Sequence, residues 1–245
     1  SPVAAATEGD GRPPATPAPS RRPRLRRRWP IAVAALVAAA IGGAFVTRSF
    51  SGGPHVVRSL RVGGHPIGIA SDGTSVWVVG DEDGGPARRI DPRRVVVTGE
   101  AEVGRAPYGI AATSDAVWVA NGLGNSVSRV DAANVTSEFA LGGSPYDVVT
   151  SSSAPTSVYV SLGTGVVDLV DETGQVVADY EVGGAARGLA VDGSSLWVAV
   201  APEGSGPLGP GQAHAVRIDL DRGEIVGSVP LAGIPDDIAI GHGSV

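Results

Sequence analysis

Five short motifs recur along the chain: VGGHPIG, VGRAPYG, LGGSPYD, VGGAARG and LAGIPDD. Their Gly, Pro and aliphatic positions repeat, while one or two positions in each do not: His65 and Ile67, Tyr108, Tyr146, Arg187, and Asp236 with Asp237. Two phenol rings, a guanidinium and carboxylates are the groups that stack on, and hydrogen-bond to, a polar or sugar-like ligand. A repeated frame that varies at one ring of positions marks that ring as a candidate ligand-binding mouth, against the competing reading of ordinary loop variability.

Other groups offer less. The run DEDGG from Asp81 could hold Ca²⁺ but lacks the distal Glu and spacing of an EF-hand loop, and reads equally as an exposed acidic turn. GLGN at Gly122 lies in a hairpin pattern with no helix after it to present N–H groups to phosphate. The four His residues, at 55, 65, 214 and 242, show no ligand spacing, and no Ser/His/Asp set is indicated. The chain has no Cys, which closes off disulfides, thiolate metal sites and thiol nucleophiles. NVT at Asn134 is a formal glycosylation acceptor with no expected role in a bacterial setting. No catalytic residue, cofactor or metal is expected of the residues shown.

The elements that must position the mouth show a second and a third periodicity. Trp77, Trp118, Tyr159 and Trp197 follow one another at 41, 41 and 38 residues, and Asp91, Asp131, Asp171 and Asp219 at 40, 40 and 48. The longer interval holds the Gly/Pro insertion PEGSGPLGPGQ, which reads as a surface loop. About 40 residues of short alternating strands per unit predicts an all-β fold, a β-propeller of four-stranded blades. Gly 36 and Pro 19 in a chain of 245 residues with only 4% aromatics fit many turns and short strands. Within the second unit, GIAATSDAVWVAN and SVSRVDAANVTSEFAL each predict two strands about a polar turn. Alternation sends Val117 and Val119 to one face and Trp118 to the other, so the recurrent aromatic is expected to pack between blades. The recurrent Asp is expected to close the third strand and accept backbone N–H groups of the following turn. HVVRSLRVGG, residues 55–64, reads as the last strand of a blade, and the fifth unit is expected to break off just before its aromatic, leaving the ring unclosed.

The repeats resemble the YVTN-type β-propeller repeats of bacterial extracytoplasmic proteins, with WVANGLGNSVSRVD the nearest stretch and Asn121 replaced by Gly80, Leu162 and Val200 in the other units. That resemblance implies architecture more than activity. Streptogramin lyases are propellers of similar repeat type, and imply the alternative of a metal-dependent lyase. Their pattern has a Glu shortly after the repeat aromatic, where this chain has VVG, VAN, VSL and VAV.

Upstream lie three further zones. Residues 1–28 are a Pro/Ala-rich, Arg-rich linker, residues 29–46 an uncharged apolar stretch, and residues 47–54 a short connection to the domain at 55–245. Eighteen residues rise roughly 27 Å as a helix, enough for one bilayer crossing, with Trp29 at the interface. Six Arg between Arg21 and Arg28 place the N-terminal side in the cytoplasm and the repeats outside. Before residue 29 seven Arg face Glu8 and Asp10, and after Val46 twelve Arg face 23 acids, so +5 and −11 give the overall −6. The exported part lacks the basic footprint of a nucleic-acid binder. A cleaved export signal is the alternative, with GGA at Gly42 as the small-residue site. The order of linker, Arg cluster, crossing and propeller is similar to the layout of bacterial transmembrane Ser/Thr kinases with propeller sensor domains, and to membrane-bound regulators with an N-terminal DNA-binding domain. The resemblance implies a sensor or binding domain whose effector lies upstream, with a membrane and an extracytoplasmic ligand or protein as partners. A secreted scaffold is the remaining reading.

Overall fold

Sixteen strands fold as four antiparallel sheets of four, each sheet built from consecutive strands in the order β1-β2-β3-β4, β5-β6-β7-β8, β9-β10-β11-β12 and β13-β14-β15-β16. The structure is a computed structural model that describes residues 56, 58–81, 83–202, 213–241 and 245. The expected crossing at 29–46, both linkers, His55, His242 and most of the Gly/Pro insertion lie outside the described residues. Among the described residues no helix is long and apolar enough to cross a membrane.

The second blade shows how sequence makes sheet. β5 (Pro107–Ala112), β6 (Ala116–Asn121), β7 (Ser126–Asp131) and β8 (Thr136–Ala140) are the four strands expected around the TSD and DAAN turns. Blade 1 comprises β1 (Pro66–Ser71), β2 (Val76–Gly80), β3 (Ala87–Asp91) and β4 (Val96–Ala101). Blade 3 comprises β9 (Pro145–Ser151), β10 (Ala154–Leu162), β11 (Val166–Val170) and β12 (Val176–Glu181). Blade 4 comprises β13 (Ala185–Asp192), β14 (Ser195–Ala201), β15 (His214–Asp219) and β16 (Glu224–Pro230). Residues 58–65 carry no strand and pair with no sheet, so the edge strand read into 55–64 is not formed there. The His65 carbonyl accepts the Asp81 N–H at 3.1 Å, a single bond beyond the end of β2 and not a ladder, and Gly63 and Gly64 turn the chain in the left-handed region just before it.

The core is split among the blade interfaces. Trp77 and Val79 of blade 1 pack on Val117, Val119 and Ile110 of blade 2. Trp118, on the opposite face of β6, packs with Val148, Val158 and Val160 of blade 3. Tyr159 in turn packs with Leu189, Leu196 and Val198 of blade 4. Trp77, Trp118 and Tyr159 are buried, whereas Trp197 is half-buried, because beside blade 4 the described residues provide only the opening of a fifth unit.

Each of the three blade tryptophans also carries a cation on the adjacent strand. Arg89, Arg129 and Arg217 stand opposite Trp77, Trp118 and Trp197 in register, with the guanidinium 5.7, 5.9 and 6.0 Å from the ring centroid. Opposite Tyr159 the residue is Leu169. Neighbours fix the guanidinium groups: Arg89 Nε donates to Ser75 Oγ, Arg129 pairs with Asp115 at 2.6 Å, and Arg217 donates to Ser195 Oγ.

The third-strand Asp residues behave alike. Asp91 accepts the N–H groups of Arg93 and Arg94, Asp131 those of Ala133 and Val135, Asp171 those of Thr173 and Gln175, and Asp219 those of Asp221 and Arg222. These bonds to the charged form hold the carboxyls of Asp91 and Asp171 below their ordinary value, led by the Arg94 N–H in one and the Thr173 hydroxyl in the other. Each turn ends on a left-handed residue: Asn134 and Gly174 three residues after the Asp, Val95 and Gly223 four after it. A β-branched residue is unsuited to that conformation, and Val95 sits there at φ 57°. Replacing Val95 by Gly is therefore expected to raise stability by about 1 kcal/mol, read as a higher denaturant midpoint at unchanged m-value; a fall in midpoint would show that the turn carries no strain.

Candidate functional site

The innermost strands β1, β5, β9 and β13 lie side by side around one end of the repeat, and their first residues line a cavity of about 750 Å³. That is the size range of small-molecule sites. The variable positions of the five motifs come to it in order: Ile67, Tyr108, Tyr146, Arg187, Asp236 and Asp237. His65 does not line it. Its ring is 88% exposed at the rim, with Nδ1 3.3 Å from Asp81, and Asp81 takes the wall position instead.

The side chains stack in chain order. The Tyr108 and Tyr146 rings lie nearly parallel, 6.1 Å between centroids and 13° between planes. The Arg187 guanidinium sits 5.0 Å from the Tyr146 centroid and its Nη1 donates to Asp236 at 2.7 Å. Each Tyr rests on a glycine at the end of its own hairpin. A Cβ on Gly122 would lie 2.3 Å from Tyr108 Cε2, and one on Gly163 would lie 3.1 Å from Tyr146 Cε2. Tyr108 and Tyr146 are thus seated from beneath by absent side chains.

Beneath the ladder a second ring alternates: Gly68, Gly109, Asp147, Gly188, Asp237. A Cβ on Gly109 would come within 2.6 Å of Asp147 Cα, and one on Gly188 within 2.6 Å of Asp237 Cα, so only glycine admits the Asp of the next unit. Asp147 Oδ1 accepts the N–H of Val148 at 2.8 Å, and Oδ2 reaches across to the N–H of Leu189 in blade 4 at 2.9 Å. Ser161 adds a parallel tie: its Oγ accepts from Asp147 N–H and donates to the carbonyl of Arg187. Asp237 repeats the local bond, accepting from Ile238 N–H at 2.7 Å. Burial pushes the Asp147 carboxyl up to about 6, helped by the nearby charge of Asp237 and opposed by its two N–H donors.

The sequence reading overlooked Asp147 and Ser161, and it weighed Asp81 only as part of an acidic run, not as a wall of the mouth. A signal for Asp147 was present in the alternation G, G, D, G, D one position after the variable ring. Ser161 stands at the position of Ala120 in the second unit, with no mark of its own in the repeat. Elsewhere, Asp83 of the acidic run forms a two-point pair with Arg105, and His214 Nε2 lies 3.0 Å from the Val182 carbonyl. Among the described residues no three His, Asp or Glu side chains converge as a metal site.

These features define a β-propeller with an open, polar mouth. No described protein family and no curated protein matches the sequence. Solved structures do match in fold. Hydrazine synthase of Kuenenia stuttgartiensis aligns at a TM-score of 0.59 and 22% identity over 74% of this chain and 53% of its own. A catalytically inactive virginiamycin B lyase from Staphylococcus aureus, solved with quinupristin, aligns at 0.59 and 18% identity over 80% and 67%. The Pan2 WD40 domain of Neurospora crassa aligns at 0.53 and 15% over 68% and 52%. The chain spans about half the length of the first of these, and at such identities the likeness is one of fold alone.

Two measurements check the inner ring. Gly109→Ala is expected to cost about 3 kcal/mol or more, because backbone of the next blade must move, while Gly142→Ala, which faces open space, is expected to be near neutral; equal effects in thermal unfolding would dismiss the close approach. A carboxyl whose folded pKa lies above its unfolded one holds its proton more tightly when folded. Stability attributable to Asp147 is therefore greatest below about pH 4, falls as pH rises through about 6 and is level above, a loss of about 3 kcal/mol. Carboxyl NMR should place its midpoint near 6, and the pH-dependent difference in stability between the wild type and Asp147→Asn should follow the same window.

Proposed function

We propose that the chain is the ligand-binding, sensory region of a single-pass envelope protein, with the propeller outside the cytoplasm and the ligand seated at the mouth lined by Tyr108, Tyr146, Arg187 and Asp236. The observation that carries the binding function is the ladder itself. An aromatic stack ending in a cation and a carboxylate lies outside the apolar clusters that fill the blade interfaces around Trp77, Trp118 and Tyr159, and lines a cavity instead. Aromatic faces and fixed charges turned to a cavity are what small-molecule recognition requires. The anchoring function is supported by sequence: six Arg in residues 21–28, an uncharged stretch at 29–46, and a reversal from net positive to net negative across it.

On this reading the propeller serves a cytoplasmic effector of the kinase or DNA-binding kind that the layout resembles. The enzyme alternative draws its support from the likeness to the lyase in fold, which at 18% identity transfers no residue roles.

Because the protein has no Cys, its topology can be read with single introduced thiols. Ser153→Cys, on an exposed turn of blade 3, should react with a membrane-impermeant maleimide in intact cells, and Ser20→Cys only after lysis. Labelling of both only after lysis would overturn the exported reading, and recovery of Ser153→Cys in the medium as a shortened soluble chain would replace the anchor by a cleaved signal.

A further inference from the structure

The ladder is lopsided in a way that defines a vacancy of charge. At one end Tyr146 carries the Arg187 guanidinium on its face, and that cation is neutralised by Asp236. At the other end Tyr108 stacks on Tyr146 and shares the cavity wall with Ile67, Ile69 and Asp81 of blade 1. Aromatic and carboxylate are both present there, as at Tyr146 and Asp236, but no side chain from blade 1 supplies the cation between them. Tyr108 remains 44% exposed.

The charges on the wall point the same way. Asp81, Asp147, Asp236 and Asp237 face the cavity against a single Arg, which is already paired. His65 touches Asp81 only from the solvent side, so an arriving cation displaces an exposed contact and not a buried one. Ile67 and Ile69, both exposed, offer apolar surface for the carbon shell of a ligand. A cationic centre over a tyrosine face with a carboxylate beside it is a favourable arrangement, stronger where water is partly excluded.

Building on the mouth assigned above, we propose that its ligand is an organic cation of the ammonium type, held with its charge between the Tyr108 ring and the carboxylate of Asp81. The bound state completes a symmetric order: carboxylate, cation, Tyr108, Tyr146, cation, carboxylate. Arg187 is then a positioning residue that holds the Tyr stack, and the ligand supplies at the blade 1 end what Arg187 supplies at the blade 4 end.

The test uses the full chain in detergent, choline as probe, and NMR of the tyrosine ring signals. Two of the four tyrosines, Tyr159 and Tyr180, pack on each other away from the mouth and serve as internal references. Choline in the millimolar range should shift Tyr108 and, less, Tyr146, while its neutral isostere with carbon in place of nitrogen should not. Tyr108→Leu should abolish the response at Tyr146, and Asp81→Asn should weaken choline by about fivefold, with Asp83→Asn unchanged. Equal shifts by the isostere, or shifts by maltose where choline gives none, would overturn the cation assignment while leaving the mouth as the binding site. If none of the three probes moves Tyr108 or Tyr146 in a folded chain, the cation assignment and the mouth both fall.

Discussion

Everything in this molecule depends on burying a large aromatic from one sheet against the inner strand of the next. A four-stranded sheet of such short strands has two faces to cover and, among the described residues, no helix to cover them, so a blade alone cannot supply a core. Trp118 shows the solution: it is fully buried, and the residues that bury it belong to blade 3 as well as to its own blade. An aromatic of that size withdraws about 150–250 Å² from water, roughly 4–6 kcal/mol as an upper figure. Stability is therefore held between blades, and Trp197, with less of a neighbour, is correspondingly more exposed.

That packing brings inner strands close, and closeness dictates the glycine ring. Gly109 and Gly188 stand where the following unit places an Asp Cα, and no side chain fits. The Asp that enters then does two things at once. Its carboxylate ties the local backbone and, at Asp147, reaches the next blade through Leu189 N–H. The cost is a carboxyl held partly away from water and proton-loving for its type. Ser161 repeats the tie one step outward through the Arg187 carbonyl, so the backbone that presents Arg187 to the cavity is fixed by blade 3.

Much of this was legible in the sequence, and the reason is periodicity. Three marks at a spacing near 40 residues set the blades, the strand turns and the interface aromatics, because each is a local demand met again in every unit. The Asp turns are local in the same sense, since Asp131 needs only its next four residues. The Trp–Arg pairs were less visible: Arg129 is eleven residues from Trp118 and meets it only once the hairpin register is known. Asp147 was hidden for a different reason. Its role depends on Gly109 in the preceding unit and Leu189 in the following one, and no single motif contains all three. His65 shows the converse, a chemically attractive residue whose ring stands exposed beside Asp81, leaving the wall to Ile67 and Asp81.

The asymmetry of the mouth follows from the same logic. Interface positions cannot drift far, because each is packed in a cluster shared by two blades, whereas a residue at the start of an inner strand is held by its own hairpin and by the mouth residues of adjacent units. Tyr108 and Tyr146 are seated on Gly122 and Gly163 of their own hairpins, a local exchange of one side chain for another outside the clusters that hold Trp77, Trp118 and Tyr159. In blade 1 the residue at that hairpin position is Asp81, whose carboxylate occupies the wall where a tyrosine seat would otherwise be. A repeated scaffold can thus alter its mouth one blade at a time at little cost to its core, and the succession Ile67, Tyr108, Tyr146, Arg187, Asp236 is a gradient from apolar to charged laid across five otherwise similar units.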